Sequence, residues 1–155
     1  MESRPIRASE AETFLHLLCD VFELDFNRAH RIFFTEPMFD LNRKWALFDG
    51  GEMVSILTTV PLDFGWGKAI GIAGVATMVE RQNQGYARKL LASVMDAAES
   101  AGETGALLFA KEPGLYSKLG FEVVDEVVHG AVIVAPEREL FVLMDFHEVQ
   151  GIYDH

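Results

Sequence analysis

Residues 69–79, AIGIAGVATMV, run without a single charge. Alternation divides them into Ile72, Gly74, Ala76, Met78 and Ala73, Val75, Thr77, Val79. Both sets are apolar. A strand that is apolar on both sides belongs in the middle of a sheet covered on both faces. Glycines inside such a strand mark a bulge or a close approach by another group. The rest of the chain has to supply neighbouring strands and two covering layers.

The flanking segments read accordingly. PIR at 5–7 predicts a short first strand. SEAE at 9–12 places Ser9 as a helix cap with Glu12 three residues on. Phe14, Leu17, Leu18 and Val21 then recur at helical spacing, giving a helix over about 10–22. DFNRAHRIFF predicts a second helix at 25–34, ended by Pro37. KWALF at 44–48 and MVSILTTV at 53–60 flank DGGE, a tight-turn signature, so they form a hairpin. PLDFGWGK at 61–68 reads as a loop. After the central strand comes a long helix, about 85–101, with Ala87, Leu90, Leu91, Val94 and Ala98 on one stripe and Gly102 as its stop. GALLFA at 105–110 is a short strand. Pro113 opens a single helical turn that ends at Gly120, and strands at 121–134 and 140–146 close the chain around Pro136. With no linker and no repeat, residues 1–155 read as one α+β domain with a mixed, mostly antiparallel sheet.

Between strand and long helix lies RQNQGYARKLL, residues 81–91, a basic turn in a chain whose formal net charge is −11. The first amides of a helix lack internal partners, and the helix dipole adds partial positive charge there. Gly85 lets backbone approach a ligand closely. Arg81, Arg88 and Lys89 add full charges. Together these suit a pyrophosphate. The spacings of a Walker-type loop and of a dinucleotide fingerprint are both missing.

QNQGYA at 82–87 fits the Q/R-x-x-G-x-G/A signature of the GNAT N-acetyltransferase superfamily. YSKLGF at 116–121 resembles the Tyr-x-x-x-Gly-Phe element of the same family. Val79 stands where the family usually has a proline, and Ala87 takes the last glycine position of the signature. EPGLYSKLGF together with GIAGVATMV is similar to the acetyltransferase domain of the enhanced-intracellular-survival type and its small single-domain relatives. The resemblance spans about residues 5–146. It implies a GNAT-like sheet with splayed middle strands, here 70–79 and 105–110, and helices on both faces. It also implies acetyl-CoA as cosubstrate. The backbone of Val75, Ala76 and Thr77 would pair with the pantetheine amides as an added strand does. The amides of Asn83, Gln84, Gly85, Tyr86, Ala87 and Arg88 would hold the pyrophosphate.

Acetyl transfer to an amine needs a deprotonated amine, donors for the tetrahedral oxyanion, and a proton for the leaving thiolate. Tyr116 is the candidate proton donor, by resemblance and because a phenol stays protonated at neutral pH. A backbone N–H near Thr77 would serve the oxyanion. Glu80, Glu112, Glu36 and Asp25 are candidate bases. No His/Cys/Asp grouping has metal spacing, so no metal is expected. The region the family uses for the acceptor holds Phe22, Phe26, Phe33, Phe34, Phe39, Phe64 and Trp66, with Glu23, Asp25, Glu36, Asp40 and Asp63. Aromatic rings with an acidic rim would suit a small cationic amine, with a protein amine as the other acceptor class.

The negative charge argues against nucleic acid and anionic membrane as partners. No apolar run reaches 18 residues, and the N-terminus MESRPIRASEAE lacks a secretory pattern, so a cytoplasmic protein is expected. Cys19, the single cysteine, lies in an apolar helical stretch and reads as a buried inert thiol. A homodimer is compatible with this reading. Two other functions compete with the enzyme: a non-catalytic acyl-CoA-binding sensor or regulatory module on the same fold, and an interaction protein without a CoA site.

Overall fold

The structure, a computed structural model, describes residues 1–37, 39–110 and 114–123. The chain divides into two compact units, 1–108 and 109–155.

The first unit is one sheet with helices. Its elements are β1 (Glu2–Pro5), α1 (Ala11–Phe22), α2 (Phe26–Phe33), β2 (Lys44–Asp49), β3 (Glu52–Asp63), β4 (Lys68–Thr77), α3 (Tyr86–Ser100) and β5 (Ala106–Leu108). The strands lie in sequence order, antiparallel except for the parallel pair β4–β5. This is the mixed, mostly antiparallel α+β sheet expected. The 69–79 run is indeed interior: β3 pairs on one side of β4 and β5 on the other.

Alternation along the strands makes two cores. Ala46, Phe48, Ile56 and Ala76 pack with Phe14, Leu15, Leu17 and Phe33 of α1 and α2. Leu47 and Leu57 point the other way, the side on which Leu90, Leu91 and Val94 of α3 are buried. Cys19 is buried in the first core, and burial pushes its thiol up, as an inert packing residue requires.

Three local expectations shift. The first strand is Glu2–Pro5 rather than 5–7, because Arg4 stacks over the Phe48 ring at 4.3 Å and pairs with Glu10. The capping carboxylate is Glu10 rather than Glu12. Glu10 accepts from the Arg7 N–H at 2.7 Å and from Arg4 at 2.7 and 2.9 Å, which hold its carboxyl down at about 2. Finally, 61–63 are strand, not loop. Beyond Thr58, β3 has lost its β2 partner, so Pro61 sits on an edge where its missing N–H is tolerated. The connection shrinks to residues 64–67, where Asp63 accepts from the Gly65 N–H at 2.9 Å.

In the second unit, Gly114–Ser117 forms a single helical turn, α4. Phe121–Val123 pair with no strand among the described residues. The rest of the C-terminal strands expected at 121–134 and 140–146, with Glu112, Pro113, His129, Pro136 and His155, lie outside the described residues.

Candidate functional site

β4 changes character halfway along. Ile70, Gly71 and Ile72 pair with Ala106, Leu107 and Leu108 of β5, and the pairing stops there. Two residues later Gly74 turns to φ +63°, and Gly74 with Val75 stands opposite the single residue Leu57. That is a β-bulge, placed where β5 leaves the ladder. Val75, Ala76 and Thr77 therefore continue as β4 with β3 on one side and, among the described residues, no strand on the other.

The end of this segment is pinned from β3. Ser55, fully buried, donates to the Ala76 carbonyl at 3.0 Å and lies 3.0 Å from the Thr77 hydroxyl. The side chain of Gln82 reaches back to the Thr77 carbonyl at 3.2 Å. Ser55 is a positioning residue that sequence reading missed. Its signal was a polar residue on an otherwise apolar run.

The turn then runs through a 3₁₀ turn, Val79–Arg81, to Gln82, Asn83, Gln84 and Gly85. The strand thus ends at Thr77, two residues short of the 69–79 run. Asn83 and Gly85 both take left-handed backbone, φ +64° and +82°. Gly85 is the N-cap of α3, no side chain caps that end, and the first intrahelical bond is Lys89 N–H to the Gly85 carbonyl. The amides of Tyr86, Ala87 and Arg88 thus have no helical acceptor. A Cβ built on Gly85 meets nothing within 4 Å. Open space over a glycine, beside uncapped amides, is a cradle that an anion fits and a side chain would fill.

The basic charges divide. Arg81 is already engaged: it pairs with Glu52 at 3.0 Å and Asp49 at 3.4 Å, and donates to the Tyr86 hydroxyl at 3.2 Å. Tyr86 in turn donates to Asp49 at 2.9 Å. Arg81 and the Tyr86 ring therefore lock the turn to the β2–β3 hairpin, correcting the expectation that Arg81 adds free positive charge. Arg88 stays exposed with no ion pair among the described residues, and the Lys89 ammonium lies 3.6 Å from the Met1 sulfur.

Tyr116, in the second unit, sits in a helix-stop motif. Phe121 N–H bonds the Tyr116 carbonyl at 3.2 Å, Gly120 N–H bonds the Ser117 carbonyl at 3.1 Å, and Gly120 lies at φ +91°. The matching apolar contact is the Tyr116 ring edge-on to Phe121, centroids 6.2 Å apart. The Tyr-x-x-x-Gly-Phe spacing thus has a local structural cause. Burial pushes the phenol up, which keeps it protonated at neutral pH.

The other candidates have structural duties. Asp25 caps α2, Asp40 accepts from the Asn42 N–H, and Asp63 holds the hairpin loop. Glu36 pairs with Lys44 at 3.8 Å. That lysine is buried between Phe33 and Phe39, and burial lowers its pKa against the opposing pull of Glu36. Glu80 is exposed on the 3₁₀ turn. Of the aromatics, Phe26, Phe34, Phe33 and Phe39 form a run of ring contacts joined through His30, with His16 stacked on Phe26, while Phe64 stacks on Trp66 at the hairpin tip. Among the described residues no group of His, Cys, Asp and Glu could hold a metal, and no helix is long and apolar enough to cross a membrane.

Comparison with known proteins gives a family. The acetyltransferase (GNAT) domain matches residues 2–124. No curated protein matches the chain. Among solved structures, an aminoglycoside acetyltransferase from an uncultured soil metagenomic sample superposes with TM-score 0.63 at 20% identity, covering 87% of this chain and all of that one. A GNAT family acetyltransferase from Brucella melitensis, in complex with acetyl-CoA, gives 0.63 at 17% identity over 78% of this chain and 82% of its own. Eis1 from Mycobacterium abscessus gives 0.61 at 14% identity, over 79% of this chain and 32% of its own, a likeness of fold alone.

Proposed function

The chain belongs to the GNAT acetyltransferase family, and on that premise we propose that it transfers an acetyl group from acetyl-CoA to a primary amine. The observation that carries this is the bulge at Gly74, set where β5 leaves β4, followed by the open, uncapped turn at Gly85. Val75, Ala76 and Thr77 offer the pantetheine a strand edge, and the amides from Asn83 to Arg88 offer the pyrophosphate donors. We read the chain as a single catalytic domain, a small relative of the enhanced-intracellular-survival type.

In the reaction the neutral amine attacks the thioester carbonyl. The C–N bond forms, the C–S bond breaks, the thiolate leaves with a proton from Tyr116, and the proton lost by the attacking nitrogen passes through solvent to restore the phenol. A backbone N–H near Thr77 stabilises the oxyanion. The acceptor is a small cationic amine, drawn by the net charge of −11.

The test is turnover of acetyl-CoA against polyamines, aminoglycosides, amino acids and peptide N-termini, with wild type and Tyr116→Phe. The variant should keep cofactor affinity and lose roughly 10- to 1000-fold in kcat. No turnover with any amine, alongside tight acetyl-CoA binding, would favour the sensor reading. Wild-type kcat in the variant would make Tyr116 a packing residue of its helix stop.

A further inference from the structure

A cleft of about 240 Å³ opens between the sheet and the C-terminal half of α3. Its cause is legible along the helix. Leu90, Leu91 and Val94 fill the space against the sheet, but the next positions over it are Ala97, Ala98 and Ala101. The side chains shrink, and the gap stays open. The floor is Trp45 and Ile70 beside those alanines. Thr59, on a residue only 5% exposed, adds a hydroxyl. The proposed reaction uses none of this. α3 has 15 residues, so its C-terminus lies about 20 Å from the Gly85 turn.

The charges on the walls are not paired with one another. Glu103 follows the helix stop directly, its N–H bonding the Ala98 carbonyl at 3.0 Å. Its Oε2 is shut off from solvent with no hydrogen-bond partner. The helix end beside it carries partial negative charge, and the last turn holds no basic residue to offset either. A buried carboxylate oxygen left this way costs free energy until a donor arrives. Arg43 lines the same cleft and forms no ion pair among the described residues. The two opposite charges are therefore not neutralising each other across it. Asp40, also on the wall, already accepts from the Asn42 N–H.

We propose that this cleft binds a free α-amino acid with an apolar side chain. The ammonium meets Glu103, whose carboxylate turns to present Oε2 to the cleft, the carboxylate of the ligand meets the Arg43 fork, and the side chain packs on Trp45 and the alanine face. A simple cation would leave Arg43 unpaired, and a simple anion would leave Glu103 so. A zwitterion satisfies both.

Calorimetric titration of the full chain with L-leucine, leucinamide and 4-methylpentanoate tests this. Leucine should bind with Kd of roughly 0.1–1 mM, as suits a small ligand in an open cleft. Each single-charge analogue should be at least about tenfold weaker. Arg43→Gln and Glu103→Gln should each weaken leucine by a similar factor while keeping the wild-type melting temperature without ligand, which shows they are folded. Any one of three results overturns the proposal: no leucine binding, analogues as tight as leucine, or undiminished affinity in both variants, which would put leucine at another site.

Discussion

At its N-terminal end α3 starts from Gly85 with no side-chain cap, three free amides and open space overhead. At its C-terminal end the same helix closes on itself. Gly102 N–H bonds the Glu99 carbonyl and Glu103 N–H bonds Ala98, both at 3.0 Å. Both ends use a glycine with left-handed backbone, φ +82° and +84°. The difference lies in which polar groups are left over. The first end leaves donors and adds Arg88. The second satisfies the carbonyls of Ala97, Ala98 and Glu99 internally and leaves a carboxylate. A glycine at a helix end is thus not itself a binding feature. What decides is whether the backbone groups beside it have already found partners.

The strongest way to break the comparison is Gly85→Val. A β-branched side chain is strained at that φ, and its methyls would occupy the cradle. Acetyl-CoA affinity, read by calorimetry, should fall by roughly two orders of magnitude. Near wild-type affinity in a folded variant would remove the turn from the cofactor site.

A second test splits the charges of that end. Arg88→Gln should weaken acetyl-CoA by roughly three- to tenfold, with a shallower salt dependence. Arg81→Gln should leave affinity within about twofold but lower the melting temperature by a few degrees, since it unties the turn from Asp49 and Glu52. Equal affinity losses in both would mean that Arg81 also faces the ligand.

The smallest effect belongs to the other end. Gly102→Ala puts a Cβ on left-handed backbone and should cost about 1 kcal/mol in urea unfolding. Acetyl-CoA affinity should not change. A loss of affinity there would show that the two ends are coupled through the helix.

Much of this was legible. The apolar β4 run, its bulging glycine, the hairpin at Gly50–Gly51 and the stop at Gly102 each follow from local chemistry within a few residues. The Gly85 turn was legible for the same reason. Arg81 was misread because its partners, Asp49 and Glu52, lie about thirty residues upstream and meet it only through the sheet register. Ser9 and Glu12 read as the capping pair because their residue types and spacing fit the pattern, but Glu10 takes the role through the Arg7 N–H and its ion pair to Arg4. The β3 extension was hidden by Pro61, which breaks a central strand but not an edge. The alanine cleft gave no sign, since a row of small residues on a helix reads equally well as close packing.

The chain's two indoles stand in opposite surroundings. Trp66 caps the β3–β4 hairpin at 75% exposure, while Trp45 lies half-buried on the cleft floor under α3. Their light emission should divide the same way. A water-soluble quencher reaches Trp66 first and takes the red part of the spectrum with it. In Trp66→Phe the remaining signal comes from Trp45 alone, and the protein then carries its own optical gauge of how wet that face of the sheet is.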